Sequence, residues 1–160
     1  MLQAITKSPA ETMELGKVIG RNLKDGAMVL LDGELGAGKT CLVSGIVKGL
    51  GMHAMVTSPT FSLVNQYVVG NLCVLHMDMY RCKTLYDLES TGFFDFWQEG
   101  SMFFLIEWYS NIEKFLPSGG MKIGISVVAE SERLLTIQNE EVLIGWPAGP
   151  GATFPAAGDS

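Results

Sequence analysis

The stretch that most restricts this chain is LLDGELGAGKTCL, in which Gly33, Glu34, Leu35, Gly36, Ala37, Gly38, Lys39 and Thr40 satisfy the pattern G-x-x-x-x-G-K-[ST]. A simple turn needs one glycine, whereas this loop has three in eight residues, followed by an ammonium and a hydroxyl. Without Cβ atoms in the way, the amides of such a loop converge on a polyanion, and a helix beginning at its end aims its positive pole at the same point. Lys39 then supplies a mobile charge for the β and γ phosphates, and the Thr40 hydroxyl can ligate magnesium. Both flanks suit the motif. Residues 27–31 are a short apolar run that reads as a buried strand, and KTCLVSGIVKGLG has helical periodicity ending at Gly49 and Gly51. Residues 33–41, closing on Cys41, are read as the cradle of a nucleoside triphosphate.

A strand, loop and helix in this order belong to an α/β fold. Upstream, Ser8-Pro9-Ala10-Glu11 reads as a capping box with Pro at the first helical position, opening a helix to about Leu23. Downstream, TFSLVNQYVV and LCVLHMDMY flank Gly70-Asn71 as a hairpin, which makes the sheet mixed. A short helix is expected over residues 84–90, an aromatic loop over 93–97 and a buried strand in MFFLIEWY. KIGISVV and RLLTIQ read as a final antiparallel pair around residues 130–132. From Gly145 the chain turns rich in Pro, Gly and Ala. The expectation is a single P-loop NTPase-like domain over residues 1–144, with a mixed parallel and antiparallel sheet flanked by helices, and a flexible tail over 145–160.

Composition narrows the functions. The chain has 160 residues, 48% hydrophobic and 18% charged, which suits one layered core. No apolar run approaches the roughly 20 residues of a bilayer-spanning helix. The sequence does not open on a basic segment followed by an apolar stretch, and Cys41, Cys73 and Cys82 lack C-x-x-C spacing. A cytoplasmic protein without membrane contact, disulfides or structural zinc is expected. The formal net charge is −6 and the arginines are Arg21, Arg81 and Arg133, which disfavours direct binding to a phosphate backbone. Any nucleic acid would be held by a partner.

A phosphate loop alone binds; hydrolysis or transfer needs further acidic groups near the metal. In HMDMYR, strand periodicity puts His76, Asp78 and Tyr80 on one face and Met77, Met79 and Arg81 on the other, as if one face were a site and the other core. Glu107 ends MFFLI, and ligands of α/β sheets collect outside the carboxyl ends of strands. His76 is read as a packing or hydrogen-bonding residue without chemistry of its own. TSPTF, residues 57–61, is either a segment that senses a γ-phosphate or a rigid turn.

By their order and spacing, SPAETMELG, GELGAGKT, TSPTFSLVNQY, HMDMYR, ESTGFFDF and LIEW make the chain resemble the TsaE family, small bacterial P-loop ATPases required for the threonylcarbamoyladenosine modification of tRNA. The resemblance runs from about residue 8 to residue 133, and HMDMYR and LIEW are more specific than the loop. It implies ATP or ADP with Mg2+ as ligands and slow hydrolysis. It also implies coupling to a TsaD-TsaB-type complex, through which alone tRNA would be met. Matched residue by residue, Lys39 and residues 36–40 hold phosphates, and Thr40 and Glu107 hold magnesium. Asp78 is the second acid at the metal and is needed for hydrolysis, Thr12 lies near the base or ribose, and Trp108 packs. Cys41 stands where a second threonine is usual, and Phe93-Phe94 where an Ile-Arg pair is more typical.

Two other classes compete. A small-molecule kinase would surround the transferred phosphate with lid arginines, for which three arginines leave little. A nucleotide-dependent binding module without essential turnover would share every feature above. A GTPase lacks support, since neither N-K-x-D nor D-x-x-G follows the loop.

Overall fold

In the computed structural model, residues 1–100, 102–139 and 142 are described; the tail expected over 145–160 lies outside them. The described elements run β1 (Leu2–Thr6), α1 (Pro9–Asn22), β2 (Met28–Gly33), α2 (Lys39–Gly49), β3 (Val64–Val69), β4 (Leu72–Asp78), α3 (Leu85–Ser90), α4 (Phe93–Glu99), β5 (Met102–Glu107), β6 (Met121–Val127) and β7 (Arg133–Gln138). The strands form one sheet in the order β1-β7-β6-β2-β5-β4-β3. Its centre, β6-β2-β5-β4, is parallel, while β3, β7 and β1 join antiparallel. The sheet is therefore mixed, as the hairpin around Gly70 requires.

Alternation along the strands decides which layer each side chain enters. Val29 and Leu31 of β2, with Phe103 and Leu105 of β5, pack against α1 and α2 on one face. Met28 and Leu30, with Phe104 and Ile106, pack on the other face against Leu88 and Phe93 of α3 and α4. Val74 of β4 belongs to the first core, and Leu75 and Met77 to the second. By the same parity His76, Asp78 and Glu107 project toward the face that carries α2.

α1 and α2 approach at glycines. A Cβ on Gly45 would lie 2.2 Å from the Met13 carbonyl oxygen and 2.9 Å from the Gly16 Cα, and one on Gly20 would lie 2.2 Å from the Ile46 carbonyl oxygen. Paired glycines four residues apart on each helix, Gly16 and Gly20 against Gly45 and Gly49, let the backbones touch. At the start of α1 the Ser8 hydroxyl accepts from the Glu11 amide at 3.1 Å, while the Glu11 carboxylate reaches past Ser8 to the Lys7 amide at 2.6 Å.

Two expectations are corrected and one strand is added. β1 was not foreseen; its inward residues Leu2, Ala4 and Thr6 alternate with exposed ones, and it pairs with β7 at the far end of the sequence. The aromatic segment over 93–97 is part of a helix. Gly92, at φ 82°, starts it, and Phe93 is buried with ring centroids 5.2 Å from Phe104 and 6.0 Å from Trp97. Tyr80 does not continue the face of His76 and Asp78, because β4 ends at Asp78 and Tyr80 is exposed.

Candidate nucleotide-binding site

The carboxyl ends of β2, β5 and β4 bring the motif residues to one place. Leu31 is opposite Glu107, and Glu107 is opposite Asp78. The loop that leaves β2 therefore rises beside two acids carried by the next two strands. Gly36 and Gly38 take φ of 79° and 109°, a region open to glycine at little cost, and Gly38 caps α2 without a side-chain bond. The first-turn amides of α2 thus stay available to an anion.

A cleft of about 210 Å³ opens here, lined by Leu35, Gly36, Gly38, Lys39, Thr40, Cys41, Ser58, Thr60, Asp78, Glu107 and Trp108. Lys39 is 5% exposed, and its ammonium donates to the Gly33 carbonyl at 2.5 Å and the Glu34 carbonyl at 3.0 Å. It also lies 4.2 Å from the centroid of the Trp108 ring. Burial pushes its pKa down, against the attraction of Glu107, Asp78 and Asp32. Trp108 holds φ at 57°, a costly conformation for a bulky residue, and its amide donates to the Leu31 carbonyl at 2.9 Å. That turn sets its indole over Lys39 and edge-on to Tyr80, with centroids 4.9 Å apart.

Of the residues expected at the site, Leu35, Gly36, Gly38, Lys39, Thr40, Cys41, Asp78 and Glu107 are brought together. Gly33 and Glu34 support Lys39 through their carbonyls, and the Ala37 carbonyl accepts from Arg133 Nε at 3.0 Å. Thr12 is not among the lining residues. It is 2% exposed, its hydroxyl lies 2.7 Å from that of Thr6 and donates to the Ser8 carbonyl at 3.3 Å, so its bonding is spent at the junction of β1 and α1.

The structure adds residues the sequence reading had not placed. Thr60 donates to Asp78 Oδ2 at 3.1 Å and lies 2.7 Å from the Ser58 hydroxyl, so TSPTF borders the cleft. His76 Nε2 stands 2.6 Å from Glu107 Oε2, with both side chains buried. Asp32 keeps one oxygen buried without a partner, and burial raises its pKa against the opposing influence of Ser110. Arg133 had one available signal: it is one of three arginines. Two carboxylates and one hydroxyl beside a row of amides suit a hard cation that completes its shell with phosphate oxygens and water, as Mg2+ does. Among the described residues no cluster of three or more His, Cys, Asp or Glu forms a protein-only metal cage.

Comparison with known proteins places the chain in a family. The family model described as "Threonylcarbamoyl adenosine biosynthesis protein TsaE" matches residues 6–135. A Treponema pallidum (strain Nichols) protein named tRNA threonylcarbamoyladenosine biosynthesis protein TsaE is 37% identical over 140 residues, 85% of this chain and 99% of the relative. The protein of the same name from Bacillus subtilis (strain 168) is 36% identical over 131 residues, 82% of this chain and 81% of the relative. The crystal structure of Bacillus subtilis YdiB superposes with a TM-score of 0.70 at 31% identity, covering 84% of this chain and 82% of that one. With the family model matching residues 6–135 of this chain and these two relatives covered over 99% and 81% of their length, the chain belongs to the TsaE family.

Proposed function

We propose that this protein binds ATP with Mg2+ in the cleft at the ends of β2, β4 and β5, hydrolyses it slowly, and thereby serves threonylcarbamoyladenosine biosynthesis in tRNA. The observation that carries this reading is the convergence of Lys39, Thr40, Asp78 and Glu107 on one cleft beside the glycine loop. The family name supports the pathway.

Each residue has a task. The amides of residues 36–40 and the start of α2 receive the phosphates, and Lys39 turns from the Gly33 and Glu34 carbonyls toward the β and γ oxygens. Thr40 and Glu107 would hold the cation, which would supply positive charge to offset that on the phosphate oxygens. Asp78, anchored by Thr60 and by the Tyr80 amide at 2.9 Å, orients the attacking water. Trp108 walls the site and keeps Lys39 from bulk solvent.

The partner in this proposal is a protein complex of the TsaD-TsaB type. With a net charge of −6 the chain is a poor ligand for tRNA by itself, so contact with tRNA is indirect. The test is ATP turnover, with and without a TsaD-TsaB complex from the same source. Stimulation by the complex is expected. An unaffected rate, with phosphate appearing on a metabolite, would favour a kinase instead.

A further inference from the structure

Behind the cleft, three side chains form a diagonal row across β3, β4 and β5. Asn65 is opposite His76 and His76 is opposite Leu105, so Tyr67 and Glu107, each two residues further along, share the face of His76. The row is bonded end to end. The Tyr67 hydroxyl lies 3.3 Å from His76 Nδ1, and His76 Nε2 lies 2.6 Å from Glu107 Oε2.

His76 is fully buried and is not among the residues that line the cleft, whereas Glu107 is. It therefore meets the site only through Glu107. A carboxylate is an acceptor, so the proton between them sits on Nε2, which leaves Nδ1 to accept from the Tyr67 hydroxyl. On the same strand, the Asn65 amide donates to the Thr57 carbonyl at 3.1 Å. Polar side chains of β3 thus reach the first residue of TSPTF, through Asn65, and His76, through Tyr67.

We propose that His76 is a positioning residue for the cation site: its Nε2 fixes one oxygen of Glu107 and leaves the other for the metal, while Tyr67 holds the imidazole in the tautomer this requires. The proposal rests on the Mg-nucleotide reading of the cleft and adds a residue to which that reading gave no role. A buried acid left unbonded would turn toward another donor, and Glu107 already attracts Lys39, whose ammonium the phosphates need. His76 thus keeps the two apart in function.

The experiment uses the full chain with His76→Phe, His76→Gln and Tyr67→Phe. The readout is affinity for a fluorescent ADP analogue, first in EDTA and then as Mg2+ is added, beside melting temperature and ATP turnover. Outer partners of metal ligands are typically worth about 10- to 100-fold in metal affinity. His76→Phe is expected to raise the Mg2+ requirement by that factor while EDTA affinity stays within about twofold. His76→Gln, whose amide can donate from a similar reach, is expected to recover most of the loss, and Tyr67→Phe to show a smaller shift in the same direction. A Phe variant with the wild-type Mg2+ requirement, or a Gln variant as impaired as Phe, overturns the proposal. So does a loss equal in EDTA and in Mg2+, which would mean a structural role. Should His76→Phe fail to fold, the decision passes to Tyr67→Phe, and an unchanged Mg2+ requirement there overturns the proposal. Wild-type protein without Mg2+-dependent nucleotide binding would sink the ATPase reading itself; a normal wild type beside an indifferent His76→Phe sinks only the positioning role.

Discussion

Asp78 and Glu107 occupy opposed positions at the ends of neighbouring parallel strands, and the ammonium of Lys39 is attracted by both. Three charges thus share one end of the sheet, with different tasks. Replacing either acid by its amide keeps shape and removes charge. Asp78→Asn and Glu107→Gln are each expected to lower ATP turnover on the order of 100-fold or more, comparable to losing a group that stabilises transferring charge. Lys39→Ala should instead weaken nucleotide binding, by roughly 10- to 100-fold, the worth of one charge-assisted hydrogen bond. Paired measurements of turnover and equilibrium binding separate the two; wild-type turnover in either amide variant would remove that acid from the site.

The contact of α1 with α2 yields a stability prediction. Because the Gly45 position faces the Met13 carbonyl at 2.2 Å, a methyl group there can be accommodated only if the helices part. Gly45→Ala should cost about 1–3 kcal/mol or more, as overpacking does in cores. Gly51 gives the contrast: its φ is 93° and nothing lies within 4 Å, so Gly51→Ala should lose about 1–2 kcal/mol through backbone conformation alone. Urea unfolding of both variants checks the order, and an undisturbed Gly45→Ala would mean that the helices are not in backbone contact.

A pH effect is expected at the start of α3. Asp87 accepts from the Lys83 and Thr84 amides at 2.9 and 3.0 Å, and these bonds hold its carboxyl below the ordinary 3.8. A lowered folded value means that the stabilisation is complete above 3.8 and is lost as the pH falls through the folded value. The protection of the Lys83 and Thr84 amides, taken as exchange relative to the intrinsic rate at each pH and followed downward from pH 5, should fall only below about 3.8 in wild type. In Asp87→Ala that protection should be missing throughout. Equal protection in the two proteins would remove the cap.

Much of this architecture was legible because local chemistry and tertiary position coincide. The glycine loop could only follow a strand and open a helix, and the alternation of His76, Met77 and Asp78 already separated a polar face from a core face. Where sequence failed, a distant partner decides. β1 exists because β7 supplies its ladder, and nothing near Leu2 announces that pairing. The helix at Phe93 is made of residues with weak helical propensity and is held by Phe104 from β5. His76 was legible as a packing or hydrogen-bonding residue, but not the acid it bonds, because Glu107 is 31 residues away. The hydroxyl of Thr12, to which the resemblance gives a nucleotide role, bonds Thr6 and Ser8, contacts that no local pattern around Thr12 announces.

The last prediction concerns tRNA. With a formal charge of −6 and 11 basic residues against 17 acidic ones, the chain meets a polyanion with net repulsion. Moreover, Arg133 is already committed to the carbonyls of Ala37, Ala129, Glu130 and Glu132, and Arg81 lies 5.5 Å from the centroid of the Phe61 ring. Specific complexes owe much of their affinity to phosphate contacts that release counterions, and this surface has few groups to make them. Filter binding of the isolated protein to tRNA should therefore show weak retention that vanishes as salt approaches physiological strength. Adding a TsaD-TsaB complex should restore retention through that complex. Tight binding by the isolated chain that survives salt would mean that contacts other than charge recognise tRNA, and that tRNA is met directly.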